Sequence, residues 1–130
     1  MTVDDAEDGV DFAGRYGPWA LVAGGSEGVG AAYAHAMAER GLNVVLLARR
    51  QAILDEVGAA IRADTGVEAR TAAVDLAAPD AMAQIVAATA GLEVGMVMYN
   101  AGGDPHYEPF LANPVELALA MTQRNCLVPL

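Results

Sequence analysis

Ala23-Gly24-Gly25-Ser26-Glu27-Gly28-Val29-Gly30 decides how the rest of the chain is read. A short apolar run, Trp19-Ala20-Leu21-Val22, precedes it, and an alanine-rich segment of helical character follows. Strand, glycine turn and helix together are the setting in which such a motif binds phosphate. The glycines permit a tight turn and remove Cβ atoms that would hold a pyrophosphate away. The helix behind them offers free N–H groups and the positive end of its dipole. No lysine follows the glycines, so a nucleoside-triphosphate P-loop is not expected. A dinucleotide fits better.

Outward from the turn, strands and helices alternate. Residues 29–40 are mostly good helix formers, with Val29, Tyr33, Ala36 and Met37 near helical spacing and Gly41 as a C-terminal stop. Val44-Val45-Leu46-Leu47 is unbroken and apolar, as suits a parallel strand buried on both faces. Residues 50–65 read as a helix ending at Gly66, and 67–74 as a weaker strand. Pro79 and Asp80 open a further helix, and residues 94–99 form a fourth apolar strand. Asn113-Pro114-Val115-Glu116 reads as a helix start with Asn as N-cap, the helix running to about Leu127. This alternation predicts an α/β fold, a doubly wound parallel sheet of strand order 3-2-1-4 with ligand at the carboxyl ends of the strands.

Composition sets limits. The 130 residues suit one modest domain, and no apolar run is long enough to span a bilayer. Asp4, Asp5, Glu7, Asp8 and Asp11 mark residues 1–15 as an acidic leader, with the domain proper at 16–130. A net charge of −10 argues against nucleic acid or an anionic membrane as partner. The lone Cys126 fits a reducing cytoplasm and reads as a small core residue. All seven basic residues are arginine, and Ser26 is the only serine.

Gly24, Gly28 and Gly30 are spaced G-x-x-x-G-x-G. With its surroundings this resembles the short-chain dehydrogenase/reductase family, whose turn usually reads T-G-x-x-x-G-x-G; Ala23 stands in place of the Thr. The resemblance implies a Rossmann-type domain in which Gly24, Ser26, Glu27, Gly28, Val29 and Gly30 surround the cofactor pyrophosphate. Arg49 and Arg50, closing the second strand, are similar to the basic pair of members that prefer NADP(H) over NAD(H). Arg49 would fork onto the 2′-phosphate and Arg50 stack on adenine. A solvated helix start is the plainer reading of both arginines. Glu27 departs from that pattern, because many such relatives carry a basic residue there, and its carboxylate must turn to water.

Asp75, followed by Leu76, resembles the aspartate that fixes the adenine ring, although a turn residue ahead of Pro79 explains it nearly as well. Asn100-Ala101-Gly102 matches the last three residues of the family's N-N-A-G, with Tyr99 replacing the first Asn. Asn125 aligns with the asparagine of the Asn-Ser-Tyr-Lys tetrad, where it would serve a proton relay. His35 and His106 have no second ligand at metal spacing, so no metal site is expected. His106 or Tyr107 would border a substrate, or simply lie in a solvated loop.

The family's proton-transfer signature is Y-x-x-x-K with a serine upstream. None of Tyr16, Tyr33, Tyr99 and Tyr107 is followed by a lysine, and no serine lies beyond Ser26. The resemblance therefore covers the cofactor-binding half of a family domain, truncated before the catalytic Tyr/Lys region. The expected parent is an NADP-dependent oxidoreductase acting on a small-molecule carbonyl or alcohol, open to homo-oligomer formation. Two other readings stand beside it. One is a non-catalytic dinucleotide-binding module that works with a partner chain through the bare fourth strand. The other is an S-adenosylmethionine methyltransferase, disfavoured because Arg49 and Arg50 occupy the place of its usual acidic residue.

Overall fold

A computed structural model describes residues 11–103 and 108–130. The elements are α1 (Phe12–Tyr16), β1 (Trp19–Ala23), α2 (Gly28–Glu39), β2 (Asn43–Ala48), α3 (Gln51–Thr65), β3 (Ala69–Ala73), α4 (Ala81–Ala88), β4 (Val94–Tyr99) and α5 (Val115–Thr122). A 3₁₀ turn, Phe110–Ala112, precedes α5, and a π-helical turn, Gln123–Leu127, follows it. All strand pairings are parallel, and the order is β3-β2-β1-β4, as the alternation predicted.

Helices cover both faces of the sheet. On one, Ala20, Val22, Val44 and Leu46 pack with Ala34, Met37 and Ala38 of α2 and Leu54 and Ile61 of α3. On the other, Trp19, Leu21, Val45 and Leu47 meet Ala81 at the start of α4 and Val128 beyond α5. Consecutive residues of β1 and β2 thus point into different halves of the core, which is why both strands read as unbroken apolar runs. The helix stops are also as expected: Gly41 and Gly66 take positive φ, 87° and 77°.

Packing of the domain reaches back into the stretch read from its charge as a leader. Asp11 caps α1 by accepting from the Gly14 N–H at 2.9 Å, and Phe12 and Ala13 pack on the α2/α3 half of the core. The weak third strand proves shorter than the 67–74 expected, and it lies at a sheet edge, half exposed. Polar contacts hold it to α3. Gln51 donates to Asp55 and Thr71 and accepts from the Ala73 N–H, while the Thr71 hydroxyl donates to Asp55.

That cluster gives stability an acid dependence. The Thr71 hydroxyl, then the Gln51 amide and the nearby Arg62 charge hold the Asp55 carboxyl below its ordinary 3.8. A lowered folded pKa means a contribution fully present above the unfolded value and lost as pH falls through the folded one. Melting the wild type and Asp55→Asn between about pH 2 and 6 should show a shallower acid loss in the variant. Parallel acid limbs would contradict this.

The start of α5 departs from expectation. Asn113 is extended and turns its Nδ2 back towards the Pro109 carbonyl at 3.5 Å, so it does not cap the helix. Pro114 takes the N-cap position and the helix begins at Val115, one residue late. Val115 and Leu119 are exposed, and α5 has no buried residue. No helix among the described residues is long and apolar enough to cross a membrane.

Candidate functional site

The glycine turn is fixed from below. The N–H groups of Gly24 and Gly25 both donate to the Leu47 carbonyl of β2, at 2.8 and 3.2 Å. Gly24 has φ +85°, and a Cβ on it would lie 2.8 Å from the Ala101 nitrogen. A Cβ on Gly30 would lie 2.0 Å from the Gly24 carbonyl oxygen. These glycines therefore let turn, helix start and β4 end close on one another. The seam is completed by the Asn100 N–H, which donates to the Ala23 carbonyl at 2.9 Å.

Over this seam opens a cleft of about 280 Å³ at the carboxyl ends of the strands. Gly24, Ser26 and Glu27 line it from the turn, Arg49 and Arg50 from the end of β2, and Asp75 and Leu76 from beyond β3. Asn100, Ala101 and Gly102 line it from β4. With Arg124 from beyond α5, five separate stretches of sequence converge on one cavity. Gly28, Val29 and Gly30 form the first turn of α2 beside it, and Val29 is 59% exposed. No side chain caps this helix, so its first N–H groups remain available to an anion.

The charged residues do not all sit as expected. Arg50 does not lie free to stack on a base: its Nη2 donates to Glu27 Oε1 at 2.8 Å. Glu27 has accordingly turned to a cation rather than to water alone. Arg49 has no hydrogen bond or ion pair among the described residues and is exposed at the cleft. Asp75 does perform the turn role, accepting from the Ala77 N–H at 3.0 Å, while also lining the cleft.

Asn125 lies in the π turn, which is closed by Val128 N–H donating to the Gln123 carbonyl. Such turns inside helices recur at functional sites. A Cβ on Gly102 would be 3.3 Å from Asn125 Oδ1, so this side chain stands against the β4 end. Asn125 also lines an apolar hollow of about 610 Å³ between the 3₁₀ turn and α5.

Sequence reasoning missed Arg124. It lines the cleft, donates from Nη2 to the Gly103 carbonyl and from Nε to Asn125 Oδ1 at 3.2 Å, and its own carbonyl accepts from the Tyr99 hydroxyl. The only signal was its place beside Asn125. Burial pushes the Tyr99 phenol above its ordinary value, so Tyr99 is not poised for proton transfer at neutral pH.

Other expectations resolve elsewhere. Cys126 lies in the π turn and is exposed, not a core residue. His35 bridges two helices, facing Glu39 at 3.4 Å and Asp64 at 3.0 Å. No group of three or more His, Cys, Asp or Glu among the described residues is placed to hold a metal ion. His106 and Tyr107 lie outside the described residues.

The family model for short chain dehydrogenases matches residues 18–126. The chain belongs to the short-chain dehydrogenase family. Members of this family are oxidoreductases whose fold binds a nicotinamide cofactor. A very-long-chain 3-oxoacyl-CoA reductase of Macaca fascicularis is 40% identical over 101 residues, covering 78% of this chain and 32% of the relative. A 7β-hydroxysteroid dehydrogenase of Clostridium sardiniense is 39% identical over 90 residues, covering 69% of this chain and 34% of that one. Among solved structures, a 7β-hydroxysteroid dehydrogenase superposes with a TM-score of 0.87 at 33% identity, over 92% of this chain and 46% of its own. A short-chain dehydrogenase of Sphingobium yanoikuyae in complex with NADPH superposes at 0.75 with 28% identity, over 85% of this chain and 44% of its own. The chain spans about a third of the length of these curated relatives.

Proposed function

We propose that this short-chain dehydrogenase chain binds NADP(H) in preference to NAD(H), as the cofactor-binding half of an oxidoreductase. Bound there, the nicotinamide would exchange hydride with a carbonyl or secondary alcohol. The observation that carries the reading is Arg49, without a hydrogen bond or ion pair among the described residues and lining the cleft at the end of β2 in a chain of net charge −10. Three of the seven basic residues line this one small cavity. A 2′-phosphate is the feature of a dinucleotide that repays such placement.

The residues present fit the group. The glycine turn and the uncapped start of α2 would hold the pyrophosphate, Arg49 the 2′-phosphate, and Asp75 with Leu76 the adenine side. Asn100, Ala101 and Gly102 would border the nicotinamide ribose. Asn125, held by Arg124 against Gly102, is assigned the asparagine of the proton relay. The partner is a small molecule, with neither nucleic acid nor membrane favoured by the acidic surface, and the cytoplasm suits the single exposed thiol of Cys126.

Titration of the 130-residue chain by calorimetry should give tighter binding of NADPH than of NADH, and none of S-adenosylmethionine. Equal affinities would remove the NADP preference, and methionine-cofactor binding would overturn the reading. No hydride transfer should accompany binding, because no Y-x-x-x-K is present in the chain.

One observation favours the partner-dependent module as a second reading. Among the described residues β4 pairs only with β1, and Val97 is 62% exposed on it. An apolar edge of this kind accepts a further strand. A discrete oligomer on a sizing column would support that reading.

A further inference from the structure

We propose that Glu27 sets the cofactor preference of the cleft by competing with the 2′-phosphate for Arg50. The inference rests on the NADP(H) reading above and concerns a residue that departs from the family pattern. Glu27 and Arg50 are 23 positions apart, yet the glycine turn and the end of β2 bring them together at 2.8 Å. Glu27 is the N-cap of α2, where a carboxylate could have bonded the first N–H groups, but it makes no such bond. Its engaged partner is Arg50.

Each of the other arginines is held by a contact within the fold. Arg62 donates to the Ala69 carbonyl, Arg40 to the Ala36 carbonyl, and Arg124 to the Gly103 carbonyl. Arg70 lies over Trp19 and Arg15 over Tyr16. Arg49 and Arg50 are therefore the pair at the β2 end that a 2′-phosphate can recruit. One of them already carries a carboxylate.

Exposure decides what kind of device this is. The side chains are 56% and 74% exposed for Arg50 and Glu27, so the pair is weak and exchangeable. A phosphate dianion is a stronger acceptor for a guanidinium fork than one carboxylate oxygen, and it can displace Glu27. The displaced carboxylate then stands near the phosphate and opposes it. A ribose with a free 2′-hydroxyl requires neither displacement nor repulsion. Glu27 thus penalises the phosphorylated cofactor selectively and holds the preference below what two free arginines would give.

Calorimetric titration with adenosine 2′,5′-bisphosphate and 5′-AMP isolates this end of the cofactor. Glu27→Gln should tighten the bisphosphate by about five- to ten-fold and change 5′-AMP by less than about two-fold. In an Arg50→Gln background the same change should gain less than about two-fold, since the competed group is gone. Thermal melts should place Glu27→Gln with the wild type, as expected for an exposed isosteric change. Equal effects on both nucleotides, or an undiminished gain without Arg50, would overturn the competition while leaving the cofactor reading intact. Failure of every variant, wild type included, to bind either nucleotide would overturn both.

Discussion

Replacing Gly30 by alanine is expected to destabilise the chain by about 3 kcal/mol, the upper part of the range for overpacked sites. Intrinsic preference points the other way, because alanine in a helix is favoured over glycine by about 1 kcal/mol. The clash wins on geometry. The new methyl would lie 2.0 Å from the Gly24 carbonyl oxygen, a backbone atom that cannot rotate aside. Gly24 itself is pinned by its N–H bond to Leu47 and by the adjacent Ala101 nitrogen. Relief therefore requires α2 to lift from the turn, which would also open the cleft. Gly28→Ala is the contrasting change: its Cβ meets nothing within 4 Å, and the cost comes from φ +57° alone, about 1 kcal/mol. Urea titrations of the two variants should differ accordingly. A Gly30→Ala chain as stable as Gly28→Ala would refute the close approach.

Arg49→Gln should weaken NADPH binding by about 10- to 100-fold, because hydrogen bonds to a charged group contribute about 1.5–3 kcal/mol. NADH should change by less than about two-fold, since a 2′-hydroxyl offers no charge to the guanidinium. Arg49 makes no other polar contact among the described residues, so the variant should fold as the wild type does. The loss should shrink as salt is raised, since an exposed charge contact is screened. A parallel loss for both cofactors would show that Arg49 acts on the shared part of the ligand instead.

The sheet was legible because its burial is two-sided. Val44 to Leu47 are all fully buried, so the apolar run carried the strand without help from spacing. The turn was legible because positive φ and close backbone contact both select glycine, as Gly24 shows. Residue pairings across elements were not. Glu27 and Arg50 were read separately, one as an anomaly and the other as a stacking group, because neither residue's own stretch reveals the other. Arg124 escaped for a related reason: the π turn alters which side chains face the strands, and no local pattern announces it. Cys126 was misplaced because small apolar residues are usually buried, whereas α5 covers the sheet only through Val128 beyond its end. Asn113 failed as a cap because the preceding 3₁₀ turn offers its side chain a nearer acceptor in Pro109.

The pairing of β4 with β1 has a consequence for how the chain assembles. β1 meets β2, and β2 meets β3, across a single helix each, but Ala23 meets Tyr99 from more than seventy residues away. Closing so long a loop costs conformational entropy before any contact repays it, which places this pairing late in folding. The Gly24–Ala101 approach and the Asn100 bond to Ala23 belong to that same late step. The cleft is therefore absent from any partly folded state that lacks β4, however well its first three strands are formed. A ligand spanning the seam binds only the finished sheet and draws the population towards it by mass action.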